Sequence, residues 1–352
     1  MTTRKGTRTS DEFRPIPSAQ TTHSAKASCF GFMMMAAMLC GMFISGLSNR
    51  AAAQQERLSA SATSMDKSHW VQIPGELVRP DCVHQLPKGA TIEIGTDGQT
   101  TGNVTLNGAL IAHYDACPEK PIITRASAHT DSNSTHAPGT GNGWVESSSW
   151  NIPLSSSDNI DYLGNTWKVP SYPSMNGALI FLFNGIEPAS EAWILQPVLQ
   201  YGVSPAGGGN YWAIASWLVS ANGNAYVSPL ETVYPGDTIF GATGLNSVSG
   251  STLYWKTEAK DETTGAYSWL TAHVSNQHWT LAFAGVLEAY NVSSCSQFPA
   301  SGKVTFKNSV VDHGFPYLDK VAGNGWVGDI FNYGGPYCKF MVVASASSTL
   351  DF

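Results

Sequence analysis

The chain has 352 residues, 42% hydrophobic and 13% charged, with 19 Lys and Arg against 26 Asp and Glu and a formal net charge of −7 at pH 7. This acidic balance argues against nucleic acid and anionic membranes as partners. No CxxC, HExxH or Cys/His cluster occurs, so neither a metal nor another cofactor is expected.

The chain begins with a polar stretch, 1–28, carrying Arg4, Lys5, Arg8, Arg14 and Lys26, followed by an apolar run at 30–47 and then Ala51-Ala52-Ala53. Positive flank, apolar core and small-x-small site predict an export signal over 1–53, cleaved near Ala53. A membrane anchor is the alternative, because 18 apolar residues approach a spanning length. Both place the remainder outside the cytoplasm, secreted, periplasmic or extracellular. Six of the 19 basic and two of the 26 acidic residues lie in this leader, which leaves the exported part at about −11.

Cys29 and Cys40 belong to the leader; Cys82, Cys117, Cys295 and Cys338 remain. An even number of cysteines in an exported chain predicts disulfides. Of the three possible pairings, Cys82–Cys117 with Cys295–Cys338 is preferred because each bridge stays within one segment.

Residues 54–67 are polar and aperiodic, as in a disordered mature start. Between Cys82 and Cys117, the alternating segments 90–94 and 104–111, with Asp97-Gly98 and Thr101-Gly102 as turns, predict a small β element. Residues 127–143, rich in Ser, Thr, His, Asn and Gly, read as a linker.

From about residue 143 to 352 no helix is predicted. Strand-length segments recur at 179–186, 193–201, 211–219, 252–257, 267–274, 279–290, 303–306 and 340–345, between Gly, Asn, Pro and Ser breaks. This density predicts an all-β chain, an antiparallel sandwich of two packed sheets behind a small β-rich N-terminal segment.

Two strands each carry a solitary polar residue in an apolar run: Gln196, in Trp193-Ile194-Leu195-Gln196-Pro197-Val198, and Glu288, in Ala284-Gly285-Val286-Leu287-Glu288-Ala289-Tyr290. Burying such a group is costly unless something satisfies it. Period two places Ile194, Gln196, Val198 and Gln200 on one face, and Ala282, Ala284, Val286, Glu288 and Tyr290 on another. Gln196, Gln200, Glu288, Tyr290 and tryptophans then line a peptide-binding groove, with space above the small alanines. A carboxylate next to water acts as general base and an amide N–H stabilises an oxyanion, so the pair points to hydrolysis. The bland readings stay open: Glu288 as a strand-end carboxylate reaching solvent, and Gln196 as an amide bonded to a neighbouring strand.

Several motifs in order resemble the glutamic peptidases, or eqolisins, which are acid endopeptidases on a concanavalin-A-like sandwich. Ile194-Leu195-Gln196 matches the family's glutamine motif and Val286-Leu287-Glu288-Ala289-Tyr290 its glutamate strand. Phe183-Asn184-Gly185-Ile186-Glu187 is similar to its Trp-Val-Gly-Ile-Asp segment, Trp167-Lys168-Val169-Pro170-Ser171 to its strand ending in Val-Pro-Ser, and Val304-Thr305-Phe306-Lys307-Asn308 to the strand after the glutamate. The resemblance covers roughly residues 142–308. It implies a monomeric, cofactor-independent peptidase acting on proteins or peptides, with Gln196 at the oxyanion, Glu288 activating water, and Phe183, Glu187, Gln200, Trp212, Trp217 and Tyr290 contacting substrate. It also implies a prosegment and linker over 54–138, removed on activation, and a catalytic domain over 139–352. The chain departs from the family pattern at Gln200, where a carboxylate is common, at Ser216, where a groove glutamate belongs, and at Asn142-Gly143-Trp144, where the family has Asn-Trp.

Two other classes compete. A non-catalytic carbohydrate- or peptide-binding module would use exposed Trp212 and Trp217 as platforms. A two-carboxylate glycoside hydrolase would pair Glu288 with Glu231 at roughly 5 to 9.5 Å.

Overall fold

The structure, a computed structural model, describes residues 69–93, 102–124, 141–153, 157–190, 193–220, 222–249, 252–274, 277–314, 320–331 and 333–352. The leader or anchor expected over 1–53, the start at 54–67, the turn at Asp97-Gly98 and most of the 127–143 linker lie outside these residues.

Seven short strands come first: β1 (Val71–Ile73), β2 (Glu76–Val78), β3 (Val83–Gln85), β4 (Thr91–Glu93), β5 (Gly102–Leu106), β6 (Ala109–Tyr114) and β7 (Ile122–Ile123). The long strands follow: β8 (Gly141–Asn151), β9 (Ile160–Lys168), β10 (Leu179–Pro188), β11 (Ile194–Ser204) and β12 (Gly207–Val219). After them run β13 (Ala225–Val227), β14 (Glu231–Val233), β15 (Thr238–Ser249), β16 (Thr252–Asp261), β17 (Tyr267–His273) and β18 (Trp279–Val292). The chain closes with β19 (Lys303–His313), β20 (Lys320–Val321), β21 (Val327–Ile330), β22 (Met341–Val343) and β23 (Ser348–Asp351).

The fold is an all-β sandwich. Its front sheet runs β21-β8-β18-β10-β11-β12-β13-β3, with β14 also on β12; its back sheet runs β22-β23-β19-β9-β15-β16-β17-β4-β5-β6, with β20 on β19. Pairings are antiparallel except β13 with β3 and β17 with β4. The segment expected to precede the sandwich therefore contributes edge strands to both sheets. A third sheet, β1-β2-β7, pairs with neither of them.

Alternation explains which residues face the inter-sheet core. Ile180, Leu182, Leu199, Tyr201, Trp212 and Ile214 pack there against Trp167 and Phe306 of the back sheet. Their odd-numbered neighbours Phe181, Phe183, Ala215 and Trp217 lie on the outer face of the front sheet, which a one-sided sheet would expose to water. Here Ile73 and Val78 are buried on that face, with Val71, Leu77 and Val83 packed beside them. That is why β10 is buried at every position, the pattern of a strand covered on both sides. Burying a side chain such as Ile73 contributes about 1.5–3 kcal/mol, so the cover is held by packing as well as by hydrogen bonds.

The disulfides Cys82–Cys117 and Cys295–Cys338 join the expected partners. The first ties the stretch before β3 to the stretch before β7. Among the described residues no helix is long and apolar enough to cross a membrane.

Candidate active site

Gln196 on β11 and Glu288 on β18 lie on the outer face of the front sheet, with β10 between their strands. Both are fully buried. The β11 face is the one alternation predicts: Gln196 stands opposite Trp217, and Ile194 and Val198 belong to the same outer cluster.

On β18 the expected face needs correction. Against β8 the pairing slips between Phe283 and Gly285, and against β10, where Phe183 pairs with Val286 and Gly185 with Phe283, β18 again carries one extra residue, a bulge around Ala284. An extra residue in one strand reverses the alternation beyond it. Ala282 therefore packs in the inter-sheet core. Phe283 takes its place on the outer face, with Val286 and Tyr290. The space expected above small alanines is filled by aromatic rings: Trp144 meets Phe283 edge-on with centroids 4.9 Å apart and Phe183 at 5.7 Å. Trp144 stands opposite Glu288 on β8, a proximity the sequence reading missed. Its signal was only the altered Asn-Gly-Trp opening.

The carboxyl of Glu288 accepts from three donors. Gly75 N–H donates to Oε2 at 2.7 Å, Thr124 Oγ1 donates to Oε1 at 2.9 Å, and the Tyr290 hydroxyl also donates to Oε1. Tyr290 Oη lies 3.1 Å from Thr124 Oγ1. Burial pushes Glu288 up to about 7, against the opposing pull of the bonds from Tyr290, Gly75 and Thr124. Burial and the neighbouring carboxyl likewise raise the Tyr290 hydroxyl well above its ordinary value, so it stays a donor.

Gln196 Nε2 donates to the carbonyl of Pro74 at 2.8 Å. The carbonyl of Pro74 and the N–H of Gly75 belong to one peptide bond. That bond thus spans the pair, its oxygen on the amide and its nitrogen on the carboxyl. Gly75 sits at the β1–β2 turn with φ of +95°, a conformation glycine adopts without strain. Thr124 N–H closes the turn onto Gly75 O at 3.1 Å.

Gln196 reaches its place because β10 and β11 approach closely at Gly185. A Cβ there would lie 2.8 Å from Leu195 O and 3.2 Å from Gln196 Cβ. Beneath the bulge, Asn184 Nδ2 donates to Asn165 Oδ1 at 2.7 Å and to Gly241 O at 2.9 Å, while Asn165 Nδ2 donates to Ala284 O at 2.5 Å. These amides fix the two irregular strands from the core side.

The remaining expected site residues are dispersed. Phe183 is beside Trp144 on the outer face. Glu187 stands opposite Leu281 and is buried. Gln200 serves its own hairpin, donating to Gly202 O and Gly207 O at 2.9 Å and accepting from Ser204 Oγ at 2.8 Å. Trp212 and Trp217 are not exposed platforms: both are fully buried, Trp212 between the sheets and Trp217 under the N-terminal cover. Five residues apart on one strand, they face opposite ways, so no single surface holds both.

Glu231 is not a second carboxylate for Glu288. It pairs with Lys88 at 2.8 Å on β14, which lies beyond β10, β11 and β12 from β18. Four inter-strand spacings amount to about 19 Å, well past the separation glycoside hydrolysis uses.

The molecule is thus an all-β sandwich with an amide and a carboxyl gripping a peptide bond on its front sheet. No protein-family model matches the chain, and no curated protein matches its sequence. Solved structures similar to it include scytalido-glutamic peptidase with a peptide-based transition-state analogue, at TM-score 0.39 and 15% identity over 61% of this chain and 100% of that one. Another is SCP-B, a member of the eqolisin family, in complex with the tripeptide Ala-Ile-His, at TM-score 0.38 and 16% identity over 61% of this chain and 100% of that one. At these values the likeness assigns no residue a role.

Proposed function

We propose that the chain is an exported acid peptidase in which Glu288 is the general base and Gln196 the oxyanion donor. The observation that carries this reading is the Pro74–Gly75 peptide bond, held by its carbonyl on Gln196 Nε2 and by its N–H on Glu288 Oε2. A site that grips a peptide bond at both heteroatoms has the two contacts that amide hydrolysis needs.

In the reaction, ionised Glu288 takes a proton from water as the water oxygen attacks the substrate carbonyl carbon. The carbonyl π pair moves onto oxygen, and Gln196 Nε2–H stabilises the resulting oxyanion. Glu288 then gives its proton to the departing nitrogen as the C–N bond breaks, which restores the carboxylate. Tyr290 holds Oε1 by its hydroxyl and keeps Oε2 turned toward the substrate. Burial beneath the 73–76 turn holds Glu288 up at about 7; admitting water and substrate in place of that turn relieves the desolvation and returns the carboxyl toward its ordinary range, where it is ionised for acid operation.

The test is hydrolysis of a denatured protein across roughly pH 2 to 7 with pepstatin present, after acid treatment, for wild type, Glu288→Gln and Gln196→Ala. Removing a general base or an oxyanion donor lowers kcat by about 10²–10⁴. Pepstatin-resistant hydrolysis undiminished in both variants would remove the pair from the mechanism.

A further inference from the structure

We infer that the turn at residues 73–76 is a pseudosubstrate: the chain binds its own Pro74–Gly75 bond at Gln196 and Glu288 and keeps the site closed to peptides in trans until the β1-β2-β7 sheet lifts away. The word substrate rests on the peptidase reading; the closure itself rests on geometry.

Four observations carry it. First, the turn meets the pair with backbone atoms of a single peptide bond, the group a peptidase cleaves, and not with side chains. Second, the bond survives for a chemical reason. Glu288 Oε2 accepts from Gly75, and Oε1 accepts from Thr124 and Tyr290, so both oxygens are committed to the protein's own donors. Glu288 is also fully buried, so solvent water does not reach the carboxyl to be activated. Third, the cover is apolar as well as polar. Ile73 and Val78 are buried against the outer-face cluster that includes Trp217, Phe183 and Ile194.

Fourth, the sheet topology marks what moves. β3 pairs with β13 and β4 with β17, so these strands are continuous with the sandwich. Among the described residues, β1, β2 and β7 form strand pairings with one another and with neither large sheet. They can leave the front sheet without breaking a strand pairing in either large sheet, and the Cys82–Cys117 bridge keeps their flanks attached. Opening is therefore a local, reversible lift of the three-stranded unit, distinct from loss of the whole N-terminal region.

Gly75 is the place to test it. At φ of +95° any side chain strains the turn, while a Cβ would meet only Ile194 Cγ2, at an ordinary 3.7 Å. Gly75→Val in the full chain should loosen the turn without disturbing the sandwich. Two readouts are taken together: amide hydrogen exchange by mass spectrometry over residues 71–78, and hydrolysis of denatured casein. We expect slow exchange and little hydrolysis in wild type. In Gly75→Val, exchange over 71–78 should rise tenfold or more with β9 and β15 unchanged, and hydrolysis should rise tenfold or more. An acetylated, amidated peptide of residues 71–78 added in trans should lower hydrolysis again.

Exchange that rises with no hydrolysis at any pH supports the closure and overturns the peptidase reading. Wild type that hydrolyses as fast as the variant while 71–78 stays protected overturns the closure and leaves the peptidase intact. Free exchange over 71–78 in wild type also overturns it. Should Gly75→Val fail to fold, Gly75→Ala carries the same strain in a smaller side chain and is read the same way.

Discussion

The backbone N–H of Gly75 donates to Glu288 Oε2 at 2.7 Å, across 213 positions of the chain. One short contact joins the β1–β2 turn to the carboxyl that the proposed chemistry depends on. The same turn gives its Pro74 carbonyl to Gln196.

Tyr290→Phe removes the hydroxyl donor to Glu288 Oε1 and little volume. That bond favours the ionised form, so its loss raises the Glu288 pKa further. In the opened Gly75→Val background, the limb of the pH–kcat/KM profile on which Glu288 must ionise should move to higher pH. A profile identical to that of the parent would show that Tyr290 does not act on the carboxyl.

Gly185→Ala places a Cβ 2.8 Å from the Leu195 carbonyl oxygen and 3.2 Å from Gln196 Cβ. Both obstacles belong to β11, which must shift and take Gln196 with it. We expect kcat to fall about 10- to 100-fold with KM little changed, since misplacement of a catalytic group is felt in the transition state. Overpacking should also cost about 1–3 kcal/mol in denaturant unfolding. A variant with unchanged kcat would separate Gln196 placement from this contact.

Burial pushes Glu146 up to about 9, with Asp351 adding to the rise and a backbone hydrogen bond from Met341 opposing it; burial likewise pushes Glu288 up to about 7. Both pKa values are raised in the folded state, so both groups stabilise the fold fully below about pH 4.5 and lose that contribution as pH rises, Glu288 through about 7 and Glu146 through about 9. The melting temperature should therefore decline from pH 5 to 9. Glu146→Gln stays neutral and should flatten the decline between pH 7 and 9; an unchanged slope there would exclude Glu146 as its source.

Replacing Cys82 and Cys117 together by Ser opens a bridge that spans 35 positions. The expected cost is about 2–4 kcal/mol. Hydrogen exchange should quicken in β1, β2 and β3 before it does in β9 or β15. Uniform acceleration throughout would mean that the bridge supports the whole sandwich and not its N-terminal cover.

Much of the fold was legible because strands announce themselves locally. The segments 179–186, 193–201 and 279–290 became β10, β11 and β18, each a few residues longer than its apolar run. β15 was missed: Gly241, Gly244 and Asn246 interrupt its apolar pattern, yet β9 and β16 pair with it on either side and hold it extended. Gln196 and Glu288 stood out because a lone polar group in an apolar strand demands a partner. Which partner it finds is not a local property, and Pro74, Gly75 and Thr124 gave no sign of their role.

The sequence by itself determined that the described part of the chain is all-β, that four cysteines pair within their own segments, and that one amide and one carboxyl sit inside apolar strands. Two-residue alternation and side-chain chemistry are written residue by residue. Only the tertiary structure decided that a bulge at Ala284 turns Phe283 outward, that Trp212 and Trp217 are buried on opposite faces, and that the cleft holds the chain's own peptide bond. The reason is physical: alternation says which residues share a face, whereas what covers that face depends on packing between segments some two hundred positions apart, which no local pattern encodes.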